Sequence, residues 1–591
     1  MNASPELDVE RMVRHYLGSV LRRSLPIAAV MVLLLTIVVL RSPDDELTTS
    51  TSAGPVSTNG SSTSNGSNGS VPAGAGGATS TSGTGAPSAS GPSGSVPAGG
   101  AQGSTAPGRA VSPGSAAPDP AKPTPALAGA TGTARSGVAC GAGVRQVPWT
   151  RYSPMCVPRF EGNNGGATGQ GVTPETITLT YRRQNSGQAQ AIQAIAGEAT
   201  PSDAQYEHDL NVFIALFNRN YELYGRKVQL KAFNGKGDYL LEDLGQGQQA
   251  AAADGITARE LGGFADVTFP SAGSLFFAQA LQSQGVVAYD FPLNPQDWYE
   301  KNSPYQYNTF LSGQNWEQWV ANLVCQRMKG MPAAFAGDPE LQSKERVFGL
   351  VGVEFPTWLQ VTNNIADRLA SQCGVQVAKR ASYAENVGTL QQDAGSIIAQ
   401  MKASGVTTVI CFCDPLMPIF ISNAATAQAY RPEWIFQNDF DPIQQVTDQE
   451  QMAHAMAPGP ALLPPSQSEA YAAYKLVDPK GEPASPYYQA AYEVLLHVFS
   501  GIQGAGPNLN PETFRNGVFS MPPSLPGGEF GDWEGGPGRH TPIKSVGVVF
   551  WDTANKSGNG KLGTWRSCEG GKLFSFDDPS AWGSGQMGCF R

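Results

Sequence analysis

The sequence predicts an α/β protein of two lobes, each a parallel sheet wrapped by helices. The lobes are joined by a hinge and stand behind one membrane-crossing segment and a disordered linker. Three observations predict this. A charge-free apolar run lies near the N-terminus, between Arg23 and Arg41. From Thr51 to Arg135 there is no aromatic residue, one Leu and only four charges, too little apolar surface to offset the entropy of ordering. From Val172 onward, short apolar runs alternate with amphipathic stretches, the pattern of strands joined by crossover helices.

The apolar run comprises seventeen uncharged residues, Ser24 to Leu40, at the low edge of a bilayer span. Arg11, Arg14, Arg22 and Arg23 precede it, whereas Asp44, Asp45 and Glu46 follow, so the positive-inside bias puts residues 1–23 in the cytoplasm and the rest outside. A cleaved signal peptide needs small residues in an A-x-A pattern, and VVLRSPDDEL lacks them. The expectation is an uncleaved signal anchor at 24–41, hence a single-pass cell-membrane protein with an extracytoplasmic C-terminal region. Residues 42–135 read as a Ser/Thr/Gly/Ala/Pro tether with a mean reach of roughly 50 Å. The chain of 591 residues carries 39 Lys+Arg against 49 Asp+Glu, with no basic run, which argues against nucleic acid as a partner.

The elements follow in order. TITLTYR alternates Ile177, Leu179 and Tyr181 as a strand. Residues 205–220 carry Leu210, Phe213, Ile214 and Phe217 at i, i+3, i+4 and i+7, one helical stripe. KVQLKAF is a strand, followed by a helix ending near Ala253 and a short ELGGFAD strand. SLFFAQALQSQG is a helix closed by Gly285, and VVAYDF a strand. The alternation resumes with helices at 316–328, 357–371, 391–404 and 418–430, separated by the strands RVFGLVGV, VQVAKRASY, TTVICFC and EWIFQN. Parallel sheets bind ligands beyond the carboxyl ends of their strands.

An even count of eight Cys in an exported chain reads as disulfides. Spacing suggests Cys140–Cys156, Cys568–Cys589 and a link between two helices, Cys325–Cys373. Cys411 and Cys413, at i and i+2 on a strand, are either a strained disulfide or two thiols. No His or further Cys is close enough in sequence to make them a metal site.

Several segments carry a family likeness: FNRNYELYGRKVQLKAFNGKG, SAGSLFFAQALQSQGVVAYDF, SPYQYNTF and ERVFGLVGVEFPTWLQVTNNIADRLASQCGVQVAKRASY. DAGSIIAQMKASGVTTVICFCDPLMPIFISNAATAQAYRPEWIFQND and YYQAAYEVLLHVFSGI complete the set. Over roughly 172–520 the chain resembles the type I periplasmic solute-binding proteins, the branched-chain amino-acid-binding group of ABC-transporter substrate-binding proteins. Residues 521–591 fit that likeness poorly. It implies two Rossmann-like lobes, about 172–309 with 440–545 and about 310–439 with 546–591, crossing near Phe310, Asp439 and Val546. It also implies a small solute held between the lobes for ABC-importer membrane subunits, with no cofactor and no reaction.

The resemblance places ligand contacts on loops after the strands. Ser271 matches the family serine at a helix start, and equally reads as that helix's cap. Asn294 or its neighbours match the small hydroxyl position after the next strand, and the ligand-covering aromatic of the second lobe falls near Phe355. Asp414 falls where cleft residues are presented and would pair with a ligand ammonium, or cap a turn before Pro415. Tyr181, Arg182 and Arg183, with Ser186 and Gly187 shortly after, replace the family's small start; an arginine at the cleft rim favours an anionic or polar ligand. Asn234 and Gly235 stand where acidic residues are common.

Other chemistry finds little support. GNNGGATGQG at 162–171 follows no strand and ends in no Lys-Ser/Thr. The stretch at 552–565 has Gly563 where a calcium loop needs Glu. No G-x-S-x-G elbow is present, and the five His are scattered. The anchor and long tether also suit a sensor or envelope-interaction protein that uses this fold without transport.

Overall fold

A computed structural model describes residues 129–183, 202–243, 245–268, 273–289, 293–384, 386, 388–437, 441–459, 467–485, 487–557 and 560–590. All belong to one compact unit, Pro118–Arg591. The expected anchor at 24–41 and most of the tether lie outside the described residues. The tether's last residues are ordered: Gly132–Thr133 pairs antiparallel with Ala139–Cys140, which the Cys140–Cys156 disulfide fixes.

The first sheet comprises β1 (Thr176–Arg183), β2 (Lys227–Asn234), β3 (Ala265–Asp266), β4 (Val287–Tyr289) and β5 (Gln306–Tyr307). All neighbours are parallel, in the order β2-β1-β3-β4-β5. Helix α1 (Asp203–Asn220) follows β1; a capping box between Ser202 and Gln205 starts it, and Leu210, Phe213, Ile214 and Phe217 form its buried stripe. α2 (Tyr239–Asp243), α3 (Gln248–Glu260) and α4 (Leu275–Ser283) follow. Gly285 adopts φ +74 just past α4, the left-handed stop expected of it. α5 (Gln296–Lys301) precedes β5.

The second sheet repeats the design with β6 (Phe348–Val353), β7 (Lys379–Tyr383), β8 (Thr408–Phe412), β9 (Glu433–Phe436) and β10 (Ala455–Gly459). Their order is β7-β6-β8-β9-β10, again parallel throughout. β6 and β8 are buried along their whole length, as sheets covered on both faces require. α6 (Gly313–Leu323) enters this lobe and ends in a π turn, Val324–Met328. α7 (Pro356–Cys373), α8 (Leu390–Ala403) and α9 (Met417–Ala427) follow in turn. Cys325 of the π turn is joined to Cys373 at the end of α7.

Because β10 pairs with β9, the second crossing falls after Gly459, not near Asp439. Residues 441–459 therefore belong to the second lobe. The chain returns to the first lobe as α10 (Glu469–Lys475), α11 (Tyr488–Ala505) and α12 (Pro511–Phe519). α11 lies beside α1 with the same direction: Asp209 accepts from Ala484 and Ser485 N–H before α11 begins, and Gln503 near its end accepts from Glu222 N–H. A third crossing leads to β11 (Ser545–Lys556), which pairs antiparallel with β10 and with β12 (Leu562–Ser567). Cys568–Cys589 pins the C-terminal segment there, with Trp582 stacked on Phe574.

Candidate ligand-binding site

The carboxyl ends of the two sheets meet. Phe355, just beyond β6, is half-buried against Leu275, Trp298 and Tyr299 from beyond β3 and β4. At the same flank Gln360 Nε2 donates to Asp297 Oδ1 at 3.0 Å. An aromatic of the second lobe thus covers the mouth of the first. Sheets with this strand order bind ligands at that end.

Most of the polar residues expected at the cleft are spent inside their own lobes. The Tyr181 hydroxyl donates to Asp203 Oδ1 at 2.9 Å. Arg182 is 1% exposed, donates to both Glu242 oxygens at 2.9 and 3.1 Å, and lies 3.4 Å from Asp254. Its guanidinium also stacks 3.9 Å over the Phe277 ring. The rim arginine of the sequence reading is therefore a buried structural ion. Arg183 pairs instead with Glu207 at 2.6 Å and with Asn234.

The same ion pair explains Asn234-Gly235. A Cβ on Gly235 would stand 2.8 Å from Arg182 Cγ, and one on Gly237 would collide with Glu242, while Lys236 and Gly237 N–H donate to Asp254. Glycine here admits the buried pair. GNNGG has a parallel role, since Asn164 and Gly166 carbonyls accept from the Arg226 guanidinium.

Ser186 and Ser271 lie outside the described residues. The residue that caps α4 is Ser274, whose hydroxyl accepts from Phe277 N–H at 3.1 Å and donates to Glu242. Asn294 is buried; its carbonyl accepts from Gly313 N–H at 2.8 Å, and it bonds the Tyr299 hydroxyl. Asp414 proves to be a cap: Oδ1 accepts from Leu416 and Met417 N–H at 2.7 and 3.2 Å, and Oδ2 accepts from the Tyr383 hydroxyl. Burial raises its carboxyl above the ordinary range, against the pull of those bonds. It offers nothing further to a ligand.

Cys411 and Cys413 form a disulfide at the carboxyl end of β8, buried with Phe412, which packs between Trp316 and Trp358. The second lobe's mouth is accordingly aromatic. Buried polar atoms there without a partner among the described residues include Trp316 Nε1 and Gln437 Oε1, the latter beyond β9.

The sequence reading missed a polar stripe on α11. Gln489, Glu493 and His497 recur at i, i+4 and i+8 of a helix whose N-terminal end faces the cleft. Gln489 donates to Glu529 Oε1 at 2.8 Å, and His497 Nδ1 bonds the hydroxyl of Tyr289, the last residue of β4, at 2.7 Å. Burial depresses the His497 pKa to about 3, so its ring is neutral. The signal was present: Glu and His four apart interrupt the otherwise apolar run AAYEVLLHVF.

No protein-family model and no curated protein matches the chain. Solved structures similar to it are type I periplasmic binding proteins, substrate-binding proteins of ABC transporters. One is a leucine-, isoleucine-, valine-, threonine- and alanine-binding protein from Brucella ovis in a closed conformation, 14% identical, covering 69% of this chain and 97% of that one, with a TM-score of 0.49. A fatty acid ABC transporter substrate-binding protein from Thermomonospora curvata is 15% identical over 70% of this chain and 95% of its own, TM-score 0.46. A solute-binding protein from R. palustris in complex with 4-hydroxybenzoate is 13% identical over 68% and 97%, TM-score 0.43.

Proposed function

We propose that the chain is a membrane-tethered extracytoplasmic solute-binding protein, which captures a small polar molecule between its lobes for an ABC-type importer. One observation carries the reading. Two parallel sheets of the same 2-1-3-4-5 strand order, linked by three crossings, direct their carboxyl ends at one another, and Phe355 reaches across to Trp298 and Tyr299. Such a pair of lobes closes on a ligand by bending at the crossings. The apolar run at 24–40 and the tether hold it at the membrane outer face in this reading.

The test uses the full chain in mild detergent against a broad metabolite panel. A ligand that raises the melting temperature and shrinks the radius of gyration supports capture. No shift and no compaction with any compound would refute it.

A further inference from the structure

We infer that the Cys411–Cys413 disulfide is a positioning device: it bends the chain at the carboxyl end of β8 and thereby sets Phe355, the aromatic that crosses to the first lobe. This rests on the proposed capture of a solute between the lobes and names a part of the second lobe that readies it.

Neither stability nor redox exchange accounts for this bond. Chain-entropy stabilisation grows with the loop closed, and the separation here is 2 residues, against 16, 48 and 21 for the other three pairs. Reductants have poor access, since Cys411 and Cys413 are 0% and 1% exposed, whereas Cys325 and Cys373 are half-buried. What remains is geometry.

Residues i and i+2 of an extended strand lie about 6.5–7 Å apart. The Cα atoms of Cys411 and Cys413 lie 5.2 Å apart, so the chain is drawn in as soon as β8 ends at Phe412. The bend brings Asp414 to two partners at once. Its Oδ1 accepts from Leu416 and Met417 N–H at 2.7 and 3.2 Å, at the start of α9. Its own N–H donates to the Tyr383 hydroxyl at 2.9 Å, while Oδ2 accepts from that hydroxyl. Straightening the strand by roughly 1.5 Å is enough to break bonds of this length.

Two paths lead from the bend to Phe355. Tyr383 is the last residue of β7, and its carbonyl accepts from Glu354 N–H at 2.8 Å, one residue before Phe355. The Ser382 hydroxyl beside it donates to Glu354 Oε1 at 2.8 Å. On the other path Phe412, held between the two cysteines, packs against Trp358 at a ring distance of 5.2 Å. Trp358 lies in the first turn of α7, which starts directly after Phe355 without a side-chain cap. Phe355 is thus seated from the β7 side by Tyr383 and from the α7 side by Phe412. An aromatic already in its seat spares the ordering that closure on a solute would otherwise cost.

The test compares ligand-free forms of the full chain in mild detergent, by amide hydrogen exchange and by neutron scattering with the detergent contrast-matched. In Cys411→Ala/Cys413→Ala, exchange at Glu354, Leu416 and Met417 should rise at least tenfold, with Val409 and Ile410 within twofold of wild type. The radius of gyration should increase as it does in Phe355→Ala, and combining the changes should increase it no further. Cys325→Ser/Cys373→Ser controls for stability alone. It should lower the denaturant midpoint more, yet leave exchange at Glu354 within twofold and the radius unchanged. If the double Ala variant does not fold, Tyr383→Phe, which keeps the disulfide and removes one hydroxyl, should raise exchange at Glu354 and Leu416 and enlarge the radius. Unchanged exchange at Glu354 overturns the inference. So does a rise at Leu416 and Met417 with an unaltered radius, because the disulfide then shapes only its own turn, and so does a uniform rise along β8. No ligand enters this test, so its failure leaves solute capture standing, whereas an empty metabolite panel removes capture and leaves the seating of Phe355 as measured.

Discussion

In the first lobe the buried guanidinium of Arg182 belongs to the carboxyl end of β1, where it meets Glu242 and Asp254 close to the cleft. In the second lobe Arg346 precedes β6 and meets Glu433, the first residue of β9, at 2.7 and 2.8 Å, at the end of the sheet remote from the cleft. Strand order is shared; the placement of charge is reversed. Behind Phe355 the second lobe therefore carries buried aromatics, Trp316, Phe412 and Trp358, where the first lobe carries a buried ion pair. The contrast can be broken at either end.

The largest effect is expected from removing either guanidinium. Arg182→Ala leaves Glu242 and Asp254 buried beside a vacated ion, and Arg346→Ala does the same to Glu433. Each should cost about 3–5 kcal/mol in urea unfolding. What separates them is binding: Arg182→Ala should also weaken whatever solute the panel finds, because α2 and the cap of α4 hang on Glu242. Arg346→Ala should leave the affinity of the folded fraction unchanged. Equal losses of affinity would show that the two ends of the sheets are not functionally distinct.

The disulfides differ between lobes in what they tie. Cys325–Cys373 closes a separation of 48 residues between two helices of the second lobe, and Cys140–Cys156 a separation of 16 in the strap against the first. In the chain-entropy account these contribute about 4 and about 3 kcal/mol. The double Ser variants should rank in that order by denaturant midpoint. The strap has a second role that the midpoint does not read: the Tyr152 hydroxyl donates to Gly531 O and accepts from Phe530 N–H, and Arg145 and Arg151 bond carbonyls of 523 and 526. It grips the third crossing. Loss of Cys140–Cys156 should therefore increase hydrogen exchange at 523–533 more than loss of Cys325–Cys373 does.

Acid acts mainly on the first lobe. Burial lowers His497 to about 3 and His540, whose Nδ1 bonds Gln306 O, to about 4. A histidine with a depressed native pKa binds its proton preferentially in the unfolded chain, so stability is full above about 6.5 and falls as pH drops toward the native value. From pH 7 to pH 5 each should remove about 2 kcal/mol. Asp266, raised by burial to about 6, works in the opposite sense, favouring the folded state as pH falls below 6. His497→Gln should flatten the wild-type pH dependence by about 2 kcal/mol; an unchanged slope would mean that the ring is protonated when folded.

Much of this architecture was legible. The alternation of apolar runs and stripes placed the strands and helices of both sheets, because parallel sheets covered on both sides demand continuous apolar strands. The second crossing was misplaced because β10 reads AMAPG: Pro458 and two alanines resemble a loop, and only pairing with β9 and β11 makes them a strand. Arg182 was misassigned for a different reason. Its partner Glu242 is 60 residues away, and no local pattern announces that a charge at a strand end will turn inward. Asp414 was legible in part, since an Asp before Pro fits a cap as well as a ligand. The polar stripe of α11 was visible as Glu493 and His497 within an apolar helix, but the partners of its Gln489 and His497, Glu529 and Tyr289, are brought to it only by the tertiary fold.

The smallest effect compares two helix caps and separates a local role from a crossing role. Ser202 and Ser312 each form a capping box, accepting from the backbone N–H of Gln205 and of Asn315. Ser202 starts α1 within the first lobe and is exposed, so Ser202→Ala should cost about 1 kcal/mol, with no effect on binding. Ser312 is buried at the first crossing, where Asn315 also accepts from the Thr541 hydroxyl of the third. Removing its hydroxyl breaks the cap and loosens the point at which two crossings touch. Ser312→Ala should therefore cost nearer 2 kcal/mol, the top of the range for caps. It should also change the ligand-free radius of gyration, which Ser202→Ala should leave alone. If both variants lose the same stability and neither alters that radius, the contact between Asn315 and Thr541 does not govern how the lobes are held, and the hinge must be sought at the second crossing.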